Sequence, residues 1–104
     1  MNEKLKFKNQ FICNWVLKNQ LAIGTNPANK DDLICLKKFK VRNVLGLCSE
    51  KEAKWHIDLE NIFNCHRIIL PDSHQDKLPS NMQITNAYNA LKNFLNDGVT
   101  FVHC

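Results

Sequence analysis

The sequence predicts an α/β fold: a central, mostly parallel sheet flanked by helices, expected to be incomplete at its C-terminus. Three observations carry the α/β reading. Strand-like and helix-like stretches alternate along the chain. The stretches VRNVLGLC (41–48) and VTFVHC (99–104) are apolar enough to be buried on both faces, as strands inside a parallel sheet are. Between residues 80 and 98 lies a long amphipathic helix with a start signal and a stop signal, just before the final strand.

The elements follow in order. NWVLKNQLAIG (14–24) reads as two short strands around a Lys18-Asn19 turn. TNPANKDD supplies turn residues, with Asn29 as N-cap and Asp31 and Asp32 in the first helical turn, where carboxylates suit the dipole. The helix DDLICLKKF then turns Leu33, Leu36 and Phe39 inward. Val41–Cys48 is the next strand. Ser49 and Glu52 have capping-box spacing, so a short helix is expected from Ser49, with Trp55, Ile57 and Leu59 in or after it. Cys65–Pro71 is a strand closed by proline, and DSHQDKLP is a polar loop. Ser80 and Gln83 form a second capping box. Ile84, Ala87, Tyr88, Leu91, Phe94 and Leu95 make one apolar face by their three- and four-residue steps, and Tyr88, Phe94 and Leu95 are expected to pack in the core. Gly98 suits the left-handed position after the helix. VTFVHC is the last strand, expected to be central.

Composition bounds the rest. With 104 residues and ordinary charge content, the chain is one domain at most: a basic segment over 1–13 and a folded part over 14–104. No apolar run approaches the roughly 18 residues of a membrane span, and MNEKLKFKNQ has no apolar stretch behind its lysines, so no membrane partner is expected. Five scattered cysteines without a C-x-x-C pair read as reduced thiols, hence a cytoplasmic setting. The formal charge of +4 admits an anionic partner. No aromatic-interleaved basic stripe points to nucleic acid. His56, His66 and His74 lack ligand spacing; Cys65, His66, His103 and Cys104 form the one combination of zinc-ligand types, and the preferred reading has no metal and no cofactor.

In sheets of this class, reactive groups gather at the carboxyl ends of strands. His103 and Cys104 sit at such an end, and Asp72 lies two residues past the 65–70 strand. A cysteine is nucleophilic as a thiolate, which helix N-termini and rings of backbone N–H groups favour. The same groups bind phosphate. A strand, a cysteine, a glycine-rich turn and a helix therefore make a device for attacking a phosphate ester. An arginine would grip the phosphate oxygens, and a carboxylic acid nearby would protonate the leaving oxygen and then activate water.

LAIGT (21–25), VRNVLGLCSE (41–50), IILPDS (68–73) and VTFVHC (99–104) stand in the order seen in cysteine-dependent dual-specificity protein phosphatases, of the tyrosine phosphatase superfamily, and the chain resembles the N-terminal part of that family's catalytic domain. The family has an apolar strand ending in V-H-C, then five residues and an arginine, with an acid aspartate roughly thirty residues upstream of the cysteine. Here 104 − 72 = 32. The resemblance implies Cys104 as nucleophile, Asp72 as general acid with Asp76 as rival, and His103 as the residue that orients the thiolate. It implies a phosphorylated protein substrate, on tyrosine and on serine or threonine, with lipid and RNA phosphates left open.

The phosphate turn and its arginine have no counterpart in these residues, and neither Arg42 nor Arg67 takes that arginine's place. With an α-carboxylate beside the Cys104 thiol and no phosphate cradle, the 104-residue chain is expected to be inactive alone and to self-associate through an exposed sheet face. The alternative from another class is a non-catalytic interaction module of the same fold; a third is an anion-binding basic domain.

Overall fold

The computed structural model describes residues 10–71 and 78–104. Eight elements follow in order: β1 (Cys13–Leu17), β2 (Leu21–Gly24), α1 (Lys30–Lys38), β3 (Asn43–Gly46), α2 (Leu59–Ile62), β4 (Asn64–Arg67), α3 (Asn81–Asp97) and β5 (Thr100–His103). They form a five-stranded sheet in the order β1-β2-β5-β3-β4. β1 and β2 are an antiparallel hairpin; β2–β5, β5–β3 and β3–β4 are parallel. The α/β class and the central place of the last strand are thus as the pattern predicted.

Local chemistry explains most of the elements. Asn19 carries the positive φ of 63° that the hairpin turn requires, a conformation asparagine tolerates. Asn29 caps α1, and the Asp32 carboxylate reaches back to accept from the Ala28 and Asn29 N–H groups at 3.0 and 2.9 Å. Ser80 Oγ accepts from Gln83 N at 3.1 Å while Gln83 Oε1 accepts from Ser80 N at 2.8 Å, closing the second capping box.

Register sorts the strands into rows. Ala22, Phe101, Val44 and Cys65 lie side by side on one face. Leu33 and Leu36 of α1 and Leu59 and Phe63 at α2 pack on that row, and this is the core. Phe11 adds its ring 5.8 Å from that of Phe101, so packing of the domain begins ahead of residue 14. The opposite row is Ile23, Val102, Leu45 and His66. On that side α3 attaches through Asn43, a buried residue whose Nδ2 donates to Phe94 O at 2.9 Å and whose Oδ1 accepts from Asn64 Nδ2 at 3.0 Å. Helix α3 has no fully buried residue, and Ile23 is 48% exposed.

Three expectations change. Ser49 and Glu52 make only a turn, not a helix: Arg67 takes the Ala53 carbonyl and Asn26 takes that of Lys54, the acceptors that a continuing helix would give to Ile57 and Asp58. Gly98 is extended, φ 170°, because the chain runs from α3 into β5 without reversing. Tyr88 is 61% exposed rather than core, while Phe94 and Leu95 are half-buried, because nothing covers the outer side of α3 among the described residues. Within the sheet, β3 lies between β4 and β5. Among the described residues, no helix is long and apolar enough to cross a membrane.

Gly24 shows how tightly the hairpin is docked: a Cβ there would overlap the Ile12 carbonyl oxygen, a backbone atom held by the Thr25 N–H at 3.0 Å. Gly24→Ala should therefore cost about 1–3 kcal/mol, as overpacking does. Urea unfolding checks this, and a variant as stable as the wild type would refute the close approach.

Candidate functional site

The candidate site is built on the carboxyl end of β5. Leu47 joins two strands there: its N–H donates to His103 O at 3.0 Å, and its carbonyl accepts from Leu70 N at 3.0 Å. The segment leaving β4 and the end of β5 therefore share one rim, two strand spacings or about 10 Å apart. Asp72 and Asp76 lie outside the described residues.

Cys104 follows β5 directly and is the exposed member of the five cysteines, all of which are described. It borders a shallow, mostly apolar depression of about 320 Å³ with Ile12, Asn14, Ile23, Leu47 and Val102. The other thiols are poor nucleophiles where a shift is evident. Burial, then Cys35 nearby, pushes Cys13 up to about 12. Burial, then Glu60, pushes Cys65 up to about 12 against the opposing pull of Arg67. Cys48, 4% exposed, is raised first by burial and then by the Cys104 thiol nearby. By exposure, Cys104 is the thiol most open to electrophiles.

His103 points to the core side of the sheet and is 2% exposed. Its row is Gly24, His103, Gly46 and Arg67. Trp55 Nε1–H donates to His103 Nε2 at 2.7 Å. The Arg67 guanidinium lies 3.8 Å over the Trp55 ring, and its two terminal nitrogens donate to Cys48 O at 2.7 Å and Ala53 O at 2.6 Å. Burial, then the Arg67 charge, lowers the His103 pKa to about 4, so the ring is neutral at pH 7.

The arginines are engaged elsewhere. Arg67 braces the turn after β3. Arg42 pairs with Asp97 at 2.8 Å, and its backbone N–H donates to Val99 O at the amino end of β5, the opposite end of the strand from Cys104. Among the described residues, no three His, Cys, Asp or Glu side chains converge as metal ligands. Of the zinc alternative, Cys65 and His103 fall in different rows, and His66 is on the other face.

Of the residues singled out from sequence, the structure brings Cys104 and His103 to one strand end. It adds Trp55 and Arg67, which sequence reasoning missed. They stand 48 and 36 residues from His103 (103 − 55 and 103 − 67), and no spacing rule links such positions. No family model matches the chain, and no curated protein matches it.

His103 makes stability pH-dependent. In the unfolded chain it protonates from about pH 6.5, whereas in the folded protein it does so only near pH 4. Stability present above pH 6.5 is therefore lost progressively as pH falls to 4, by about 3 kcal/mol from this group. Denaturant unfolding at pH 7 and pH 4 should show His103→Gln losing about 3 kcal/mol less than the wild type. Equal losses would mean that His103 is not buried neutral.

Proposed function

We propose that this chain carries the nucleophile strand of a cysteine-dependent phosphatase of the dual-specificity type, acting on phosphorylated protein. One observation carries the reading. The exposed thiol of the chain stands at the carboxyl end of the central parallel strand, with Leu70, two residues before Asp72, on the same rim. A neutral, buried histidine directly precedes that thiol. The ordered stretches described from the sequence support the same reading.

In this reading the Cys104 thiolate attacks phosphorus and forms an S–P bond. The P–O bond to the substrate breaks, and Asp72 gives its proton to the departing oxygen. Water then attacks phosphorus, Asp72 takes the water proton, the S–P bond breaks, and the thiolate and inorganic phosphate are released. Donors for the phosphate oxygens come from outside these 104 residues, since no arginine stands six positions after a cysteine here. Losing a single such donor costs about 10²–10³ in rate, so the 104 residues alone should release no phosphate in a Cys104-dependent way. The encoded residues that follow Cys104 should read five residues and then an arginine. A chain carrying them should hydrolyse an aryl phosphate, and Cys104→Ser should abolish this. A continuation without that arginine, or turnover that survives Cys104→Ser, would overturn the proposal.

The exposed stripe of Val16, Ile23 and Ile12, each about half exposed, favours the second reading, an interaction module. On that reading the 104-residue chain elutes as an oligomer in size-exclusion chromatography, and Ile23→Lys shifts it to the monomer position. A sharp wild-type monomer peak would remove this support.

A further inference from the structure

His103 holds an unusual polar atom: its Nδ1 is buried with no hydrogen-bond partner among the described residues. The other ring nitrogen settles which tautomer is present. Trp55 Nε1–H can only donate, so Nε2 must supply a lone pair. A neutral ring then carries its proton on Nδ1. That nitrogen is the one nearer the main chain, and the next residue of that main chain is Cys104. A buried donor left unmade costs about 1–3 kcal/mol, which a structure does not carry without a reason.

Three elements are arranged around the Trp55–His103 bond. Arg67 of β4 lies over the indole and anchors both ends of the Cys48–Ala53 turn. Gly46 of β3 leaves the space in which the two rings meet: a Cβ there would stand 3.0 Å from Trp55 Cζ2 and 3.1 Å from His103 Nε2. The rings meet edge to face, with centroids 6.0 Å apart. The carbonyls that Arg67 holds belong to the loop that delivers Trp55. The geometry is that of a bond built to be kept.

We propose that Trp55 is a positioning residue: its indole N–H locks His103 in the Nδ1–H tautomer, so that a single fixed donor is held on the residue before Cys104, available to the thiolate once it forms. Trp55 touches no substrate and acts through His103. The assignment of the thiol as a nucleophile rests on the phosphatase reading; the tautomer lock does not. The charged group that acts on the ring is Arg67 from β4; Cys104 and Glu52 act on Cys48 in the segment after β3. None of them replaces the indole as a donor to Nε2.

The test is made on the ¹⁵N-labelled 104-residue chain. Long-range proton–nitrogen spectra report each imidazole nitrogen, with His103 assigned by its loss in His103→Asn. At pH 7, Nε2 should be pyridine-like and Nδ1 pyrrole-like, and this should persist below pH 5. Trp55→Phe, and 3-benzothienylalanine at position 55, which keeps the bicyclic shape and replaces N–H by sulfur, should both give mixed tautomers. They should also raise the titration midpoint of His103 and slow alkylation of Cys104 by iodoacetamide at pH 7 about tenfold, the loss of one hydrogen bond to a charged group. The sulfur variant keeps the test open if Trp55→Phe does not fold. A pyrrole-like Nε2 in the wild type would overturn the proposal. So would an unchanged tautomer in the sulfur variant, or a changed tautomer with unchanged Cys104 alkylation. Failure of the phosphatase reading shows elsewhere, in the arginine and the turnover, and leaves the nitrogen spectra as they are.

Discussion

The last strand in the sequence is the middle strand of the sheet, and the rest of the structure depends on that placement. β2 and β3 do not pair with each other; each pairs with β5, in register at Ala22, Phe101 and Val44. Without residues 100–103 the sheet is two separate pieces, a β1–β2 hairpin and a β3–β4 pair. The Phe101 side chain, fully buried, fills the space between α1 and α2 that both pieces border. Contacts so distant in sequence are costly to form, since the loop entropy is lost before they repay it. The same placement sets Cys104 in the middle of the rim, where the ends of β2 and β3 flank it on either side. A thiol on an edge strand would have neighbours on one side only.

The two faces of the sheet are unlike. On one, α1 and α2 close over the Ala22–Phe101–Val44–Cys65 row, and Trp15 stacks on Phe39 at 4.9 Å to seal the hairpin side. On the other, α3 is tied down near Asn43, and the β1–β2 side is left open among the described residues. Apolar area left in water forfeits roughly 25 cal/mol per Å² of burial, so this face is a surface that gains by being covered. Arg42 and Asp97 bridge α3 to β3 at its foot, but both are exposed, and such a pair adds about 0–1 kcal/mol. The anchoring of α3 therefore rests on Asn43, whose amide is satisfied on both sides and cannot be replaced by an apolar side chain without stranding Phe94 O and Asn64.

What could be read from the sequence was what adjacent residues decide. The hairpin turn at Asn19, the caps at Asn29 and Ser80, and the inward Leu33 and Leu36 all follow from spacings of four residues or fewer. The alternation of strands and helices then carried the α/β class. The helix expected at Ser49 failed for a reason no local rule contains: its carbonyls are taken by Arg67 and Asn26, far away in sequence. Helix α3 teaches a related point. Periodicity says that Ile84, Tyr88 and Leu91 share a face; it does not say that anything covers the face, and Ile84 is 51% exposed. The site divides the same way. Cys104 and His103 are adjacent and were legible together, whereas Trp55 and Arg67 reach His103 only through the fold.

The rows of the sheet give the strongest argument that its rim is specialised. The Ala22–Phe101–Val44–Cys65 row is what stability alone would select: apolar and packed. One row nearer the rim stand Gly24, His103, Gly46 and Arg67, two glycines and two polar side chains in the same sheet. Glycine inside a strand weakens it, a buried histidine must give up its charge, and an Nδ1 without a partner among the described residues forfeits a hydrogen bond. Each of these residues is a poor choice by the rule that governs its position. Yet they fit one another: Gly46 makes room for the Trp55–His103 bond, Arg67 holds the indole, and Gly24 admits the Ile12 carbonyl. Mutual fit among locally unfavourable residues is the pattern expected where a fold gives up stability to hold a group in place. The residue that follows this row on β5 is Cys104.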